Sequence, residues 1–381
     1  MPLKVLAEFD RFVNYLSEKD RIAIITDHDT DGVTAGVIAF KALLQITGKM
    51  PAMVIIASNQ NEPLSEKTVK VLKKKKINKV VCPDISLDQK ERLFFARKIS
   101  KFAKILNIDH HKVYAKSIGK GNVLVKPQFF SKIDPSRYAS AKMCFDLFSR
   151  HTNLEGSEWI AALGLYGDWG EKAWKGFFSS ALRKAGISLE KIKELHGILA
   201  AVDVLEKKRL PECFNNLLSV EKPANSLRSF AKYRQRLESM LREAEMDFWK
   251  NAECHPKLEY CFYLASAKYG IAANLINRLA KKAQKTTLVI GQRAGKEIKL
   301  SARRSDRKIA VNELLENAVK GLKEGSAGGH EPAAGGKILA KDLGKFKKKV
   351  LEILEKKRKK EKKGKGSFFP SDFEKKTLFF T

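Results

Sequence analysis

Three carboxylates and an imidazole stand side by side in Asp27-His28-Asp29-Thr30-Asp31-Gly32. Carboxylates this close repel one another, and several would protonate unless cations neutralised them. Such a set can ligate divalent metal, or it can be an Asp-rich turn that caps a helix. The run in front of it, Ile22-Ala23-Ile24-Ile25, is short, apolar and β-branched, which predicts a buried strand. Val33 to Leu44 reads as a helix. The acids are therefore expected at the carboxyl end of a strand, where open α/β sheets place their ligands.

The pattern repeats down the chain. Val54–Ala57, Lys79–Cys82 and Ala103–Ile108 read as further strands, separated by helices over 33–47, 65–76 and 88–100. The third of these four strands runs into Pro83-Asp84 and the fourth into Asp109-His110-His111. One Asp after a strand is ordinarily a cap or turn residue. Successive strands delivering acids and histidines to one sheet edge point instead to a two-metal centre. Strand–helix alternation predicts an α/β fold with a parallel sheet. Helices are expected over 138–150 and 157–166. The second ends at Tyr166-Gly167-Asp168-Trp169-Gly170, where Asp168 is a further candidate ligand or a simple turn aspartate.

At 381 residues the chain is too long for one ordinary core, so two domains are expected. Lys plus Arg number 74 against 43 Asp plus Glu, a net charge of +31. That excess favours a polyanion, nucleic acid before anionic membrane, although a salt-adapted or thermophilic surface would also be lysine-rich. No apolar run approaches membrane-spanning length and Met1-Pro2-Leu3-Lys4 lacks a signal-peptide core, so a cytoplasmic location without membrane attachment is expected. The five cysteines form no Cys-x-x-Cys pair and are expected to be reduced thiols.

Helices dominate 171–255, with Ser226–Asn251 as one long connecting helix. A second α/β unit follows, with strands at 260–264, 286–291 and 297–304 and helices at 271–283 and 311–323. Ala327 to Gly336 reads as a Gly-rich loop around His330, open enough for backbone N–H groups to approach a phosphate. A basic helix loses its apolar character after Leu354 and gives way to a lysine tail at 356–365. Phe368-Phe369-Pro370 and Leu378-Phe379-Phe380 suggest a docking peptide. The expected domains are 1–200 with the metal site, 201–255 as helical connector, 256–344 as the smaller α/β unit and 345–381 as basic tail.

Taken in order, the acidic hexamer, Asp84, Asp109-His110-His111 and Asp168 resemble the four motifs of the DHH phosphoesterase superfamily. Gly328-Gly329-His330-Glu331-Pro332-Ala333-Ala334-Gly335 resembles the signature of its DHH-associated C-terminal domain, with Ala327 where the family has a first glycine. Ser301-Ala302-Arg303 matches that domain's Ser-x-Arg strand. The likeness spans roughly residues 20–340, and within the superfamily the chain is similar to archaeal RecJ-like single-strand nucleases. Family II pyrophosphatases carry a metal-binding histidine where Ile25 stands here, and alanyl-tRNA editing modules share only the C-terminal part.

The resemblance implies a parallel-sheet DHH domain joined by a helical connector to the smaller domain, with the active site in the cleft between them. It implies two divalent cations, Mn²⁺ first with Mg²⁺ as substitute. Asp29 and Asp84 would hold one, with Asp27 lending or orienting a ligand. Asp31, Asp84, His110 and Asp168 would hold the other. Asp109 would orient a ligand histidine, and His111 and His28 would contact the phosphate or leaving group. Ser301, Arg303, Gly328, Gly329 and His330 would bind the nucleotide. The implied activity is 5′-to-3′ exonucleolytic release of mononucleotides from single-stranded DNA or RNA. A short-oligonucleotide phosphodiesterase is the alternative. A replisome-associated scaffold is the second, though such scaffolds typically lose ligands that are all present here. A replication or repair protein would be the partner of the C-terminal tail.

Overall fold

Residues 2–57, 64–219, 223–266 and 270–364 are described in the computed structural model, and the chain divides after Leu237 into two units. In the first, helix α1 (Pro2–Asn14) turns Val5, Phe9, Phe12 and Val13 into the core. Then come β1 (Ile22–Thr26), α2 (Thr30–Thr47), β2 (Met53–Ile56), α3 (Glu66–Lys74), β3 (Lys79–Pro83), α4 (Lys90–Ile99), β4 (Lys104–Ile108) and β5 (Val123–Val125). The strands form one sheet in the order β2-β1-β3-β4-β5, every pair parallel. All of β1 is buried, which is why it reads as a continuous apolar run rather than an alternating one. Burying Ile24 and Ile25 contributes about 1.5–3 kcal/mol each. The short Val-Leu-Val of β5 carries no periodic signal, and no strand is expected there from the sequence.

Helices α5 (Ser140–Phe148), α6 (Glu158–Gly167), α7 (Lys175–Lys184), α8 (Leu189–Glu206) and α9 (Leu210–Ser219) complete this unit, α2 packing on α5, α6 and α9. The connector expected over 201–255 is instead shared out. Leu210, Phe214, Leu217, Leu227 and Phe230 are buried in the first core, and the division falls inside α10 (Ala231–Asn251). A separate 3-10 turn at Arg228–Phe230 precedes α10, so the single helix expected from Ser226 begins later.

The second unit contains β6 (Glu253–His255), β7 (Tyr260–Ala265), α11 (Ala272–Lys282), β8 (Thr287–Ala294), β9 (Glu297–Arg303), α12 (Val311–Val319), β10 (Ser326–His330), β11 (Ala333–Leu339) and α13 (Leu343–Gly364). Its mixed sheet runs β10-β11-β9-β8-β7-β6, parallel only between β7 and β8. The Gly-rich stretch expected as a loop is the β10–β11 hairpin, with Gly328 opposite Gly335 and His330 opposite Ala333. Residues without bulky side chains favour no strand by pattern; pairing with β9 imposes one. Helix α13 buries Phe346, Val350 and Leu354, so the basic segment is tied to this core through its first turns. Residues 365–381, with both aromatic clusters of the expected docking peptide, lie outside the described residues.

Two cysteines correct the all-thiol expectation. Cys254 on β6 faces Cys261 on β7 in antiparallel register and is disulfide-bonded to it, whereas Cys82, Cys144 and Cys213 are buried thiols. Directly opposed antiparallel side chains approach closely, a proximity that sequence spacing does not reveal. Thiol titration of the denatured, unreduced protein should therefore count three thiols, rising to five after reduction. Five before reduction would contradict the bridge. Among the described residues no helix is long and apolar enough to cross a membrane.

Candidate metal centre

The carboxyl ends of β1, β3 and β4 deliver the acidic motifs to one edge of the parallel sheet. Backbone bonds carry the ladder past the strand ends: Asp84 N–H donates to Ile108 O at 2.8 Å and Asp109 N–H to Val125 O at 3.0 Å. Asp84 itself adopts a left-handed φ of 61° while 1% exposed. Strain of this kind in a buried non-glycine residue is typical of functional sites. The turn carrying it is fixed by Asn107, whose Nδ2 donates to Cys82 O and Ile85 O at 2.8 and 2.9 Å.

The hexamer wraps the start of α2. Asp29 caps that helix by accepting from Gly32 N–H at 2.9 Å, so the capping role is realised in the same segment. Thr26 Oγ1 donates to Gly32 O. A Cβ on Gly32 would lie 2.7 Å from Asp27 C and O, and only glycine permits this close return of the chain. Asp31 reaches the amino end of α5, accepting from Ser140 N–H at 2.6 Å and Ala141 N–H at 2.9 Å. Ser140 Oγ donates to Asp84 Oδ1 at 2.9 Å, so one helix terminus holds the carboxylates that follow β1 and β3.

Histidines complete the pocket. His110 Nε2 lies 3.0 Å from Asp168 Oδ2 and 3.6 Å from Asp84 Oδ1, and its Nδ1 is 3.2 Å from Pro135 O. His111 Nδ1 is 2.7 Å from Asp109 Oδ1 and 3.9 Å from Asp84 Oδ1. Two sets, Asp84-His110-His111 and Asp31-His110-Asp168, bring ligand atoms within 4.8 Å of one another.

The electrostatics show what this pocket suits. Burial, together with the charges of Asp31 and Asp29, holds Asp84 well above the usual carboxylate range, and burial with Asp168 does the same to Asp31. Asp29 meets solvent at the rim, yet the desolvating walls around its carboxyl and the charges of Asp27 and Asp168 lift it to about 6. Burial opposes the charge on His110, but Asp168 and Asp31 outweigh it and raise the imidazole to about 10. Burial would likewise raise Asp109, but His111 and Lys126 hold it well below the ordinary range. A pocket of crowded carboxyls, three of them pushed toward protonation, with imidazoles at its wall fits divalent cations.

All the residues expected at the metal, Asp27, Asp29, Asp31, Asp84, His110 and Asp168, lie in the first unit with Asp109, His111 and His28. Ligand atoms of Asp31, Asp84, His110, His111 and Asp168 converge in the two sets above; Asp27 and Asp29 belong to neither. His28 turns away to Asp203, with Nδ1 2.9 Å from Oδ1, while 3.6 Å separates its Nε2 from Asp27 Oδ1. Ser301, Arg303, Gly328, Gly329 and His330 are gathered on β9 and β10 of the second unit, where Arg303 and His330 both register with Ala333.

Several supports carry no expectation from the sequence. Lys126 is fully buried, its Nζ 2.6 Å from Asp109 Oδ2 and 3.1 Å from Asp88 Oδ1. It carries no signal in the sequence, because the strand Val123–Val125 that ends beside it is seen only in the structure. His196 Nδ1 meets Thr30 Oγ1 at 2.9 Å, and Asp203 pairs with His28; both come from α8 and carry no local pattern. Gly164 on α6 is equally structural. A Cβ there would lie 2.5 Å from Ala141 Cβ and 2.7 Å from Asp31 Oδ1. Gly164→Ala should destabilise the protein by about 1–3 kcal/mol and weaken Mn²⁺ binding about 10–100-fold by displacing Asp31. Thermal unfolding and Mn²⁺ titration check this, and unaltered binding would refute the dependence on helix packing.

Residues 259–356 match the DHHA1 domain family. A sequence search against curated proteins finds no match. Among solved structures, RecJ from Thermus thermophilus in complex with Mn²⁺ is 16% identical with a TM-score of 0.70, over 93% of this chain and 55% of that one. The present chain thus spans about half of that RecJ. An exonuclease RecJ bound to manganese gives 17%, 0.64, 93% and 95%. The DHH domain of a protein assigned to a ribosomal-protein family gives 15%, 0.71, 93% and 89%. These likenesses establish the fold. With its parallel sheet in the first unit and residues 259–356 of the second matching the DHHA1 domain family, the chain has the fold of these RecJ and DHH-domain structures.

Proposed function

We propose that the chain is a metal-dependent phosphodiesterase that hydrolyses single-stranded nucleic acid, releasing mononucleotides from the 5′ end. The observation that carries this reading is the convergence of Asp31, Asp84, His110, His111 and Asp168 in one charge-crowded pocket. In this reading Asp29 and Asp84, with Asp27 beside them, hold one divalent cation. Asp31, Asp84, His110 and Asp168 hold a second, Mn²⁺ first and Mg²⁺ as substitute. Such cations supply an activated water and neutralise the phosphodiester during displacement.

The chain's own groups do the rest. Asp109 accepts from His111 Nδ1, which fixes that ring and leaves Nε2 to meet the phosphate or leaving oxygen. His111 and Lys126 together keep Asp109 ionised for this task. His28, oriented by Asp203, is a second phosphate contact.

In the second unit, Ser301 and Arg303 share one face of β9, since residues two apart on a strand point the same way. Arg303 Nε donates to Asn277 Oδ1 at 2.8 Å, and burial lowers the guanidinium to about 10. No carboxylate pairs with this half-buried guanidinium among the described residues, so it suits an anionic ligand. Gly328, Gly329 and His330 lie on β10, the edge strand of this sheet, where the small glycines let a ligand approach the backbone closely. The net charge of +31 suits a long polyanion, and affinity should fall steeply with salt.

The test is Mn²⁺-dependent hydrolysis of a long single strand labelled at its 5′ end, run beside a labelled dinucleotide. Release of the 5′ mononucleotide from the long strand is expected. Cleavage of the dinucleotide alone would overturn the long-strand reading. Cleavage of neither by the folded protein would overturn the enzymatic one.

A further inference from the structure

Trp169 occupies a position that helix ends ordinarily give to glycine. Helix α6 closes with Trp169 N–H donating to Tyr166 O at 3.3 Å and Gly170 N–H to Leu165 O at 2.7 Å, the paired bonds of a Schellman cap. The residue in the left-handed region between them is Trp169, at φ 58°. That conformation disfavours a bulky side chain. The core does not repay it, because Trp169 is 46% exposed.

What the indole does instead is wall a recess of about 410 Å³ shared with Arg137, Glu171, Lys172 and Ala173. Arg137 Nη1 donates to Trp169 O at 2.7 Å, and Trp174 Nε1 holds Arg137 O at 3.0 Å, so the opposite wall is fixed as well. Both walls are adjacent in sequence to residues of the metal centre. Trp169 follows Asp168 directly, and Arg137 lies two residues beyond Pro135, whose carbonyl meets His110 Nδ1. Glu171 keeps Oε2 buried with no hydrogen-bond partner among the described residues, so this is no plain anion site. A half-exposed indole flanked by an arginine and a lysine suits a nucleobase and the phosphate attached to it.

We infer that this recess is a nucleobase subsite, in which Trp169 stacks on a base beside the hydrolysed phosphodiester while Arg137 and Lys172 contact its phosphate. The inference rests on the function proposed above and deepens it. The protein distinguishes strands that carry bases from base-free phosphodiesters of the same charge.

Equilibrium binding by the full chain, without divalent metal so that nothing is cut, compares oligothymidylate with an abasic tetrahydrofuran oligomer of equal length. The wild type should favour oligothymidylate by at least about fivefold. Trp169→Ala should erase that preference with abasic affinity unchanged, and Trp169→Phe should keep most of it. Trp169→Gly should lose the preference yet unfold at the same or a higher temperature, since glycine relieves the cap. A Trp169→Ala protein that retains the preference, or that weakens on both oligomers equally, overturns the subsite. So does a wild type that hydrolyses single strands but binds both oligomers alike, and the proposed function survives that result. A wild type that neither binds nor hydrolyses strands overturns both.

Discussion

Replacing Asp84 by asparagine should lower metal-dependent hydrolysis by more than about 100-fold, beyond the loss typical of removing a ligand's supporting group. The same change should raise the unfolding temperature of the metal-free protein. The two effects have opposite signs because they come from one charge. Asp84 is buried against Asp31, Asp29 and Asp168, and without a cation its ionised form is opposed by all of them. Asparagine keeps an oxygen to accept from Ser140 Oγ and tolerates the left-handed φ of 61° better than most residues. It removes the repulsion at little backbone cost. Each kcal/mol of relief should appear as about 2–4 °C. Calorimetry with and without Mn²⁺, beside a hydrolysis assay, reads both. Wild-type hydrolysis in this variant would sink the assignment of Asp84 to the metal. A lower metal-free unfolding temperature would show that repulsion at Asp84 does not govern stability.

The largest stability effect is expected at Lys126. Its ammonium sits fully buried between Asp88 and Asp109 and also donates to His111 O at 3.2 Å and Lys112 O at 2.9 Å. Lys126→Met would leave two buried carboxylates and two carbonyls without their cation. Breaking a buried pair from one side costs about 3–5 kcal/mol. The damage should reach the site, because Asp109 would no longer be held as the acceptor that orients His111. Adding Asp88→Asn should restore part of the stability by removing one uncompensated anion, but not the orientation of His111. Denaturant unfolding of the single and double variants measures this. A loss below about 1 kcal/mol, the range of exposed ion pairs, would mean the network does not bear on the fold.

The acidic motifs are legible because their chemistry is written locally. A buried strand announces itself as an apolar run, and the acid at its end is adjacent in sequence, so Asp27, Asp84 and Asp109 can each be placed from a dozen residues. The supports are not legible, because three-dimensional register decides them. Asp203 and His196 lie far along the chain from the residues they touch, and nothing near them in sequence marks them out. Lys126 looks like any surface lysine until β5 is seen to pair with β4. The Cys254–Cys261 bridge follows from antiparallel register rather than spacing, and the Gly-rich hairpin from pairing with β9 rather than from its own composition. Local pattern thus locates the strand ends, while packing determines which helices hold them.

The most direct test of the metal centre is equilibrium Mn²⁺ binding to the full chain, followed by the paramagnetic signal of free ion. Two Mn²⁺ per chain are expected, with tight binding lost in the Asp84→Asn variant. Absence of bound Mn²⁺ in folded wild-type protein, or equal binding by the variant, would contradict a two-metal centre built on Asp84.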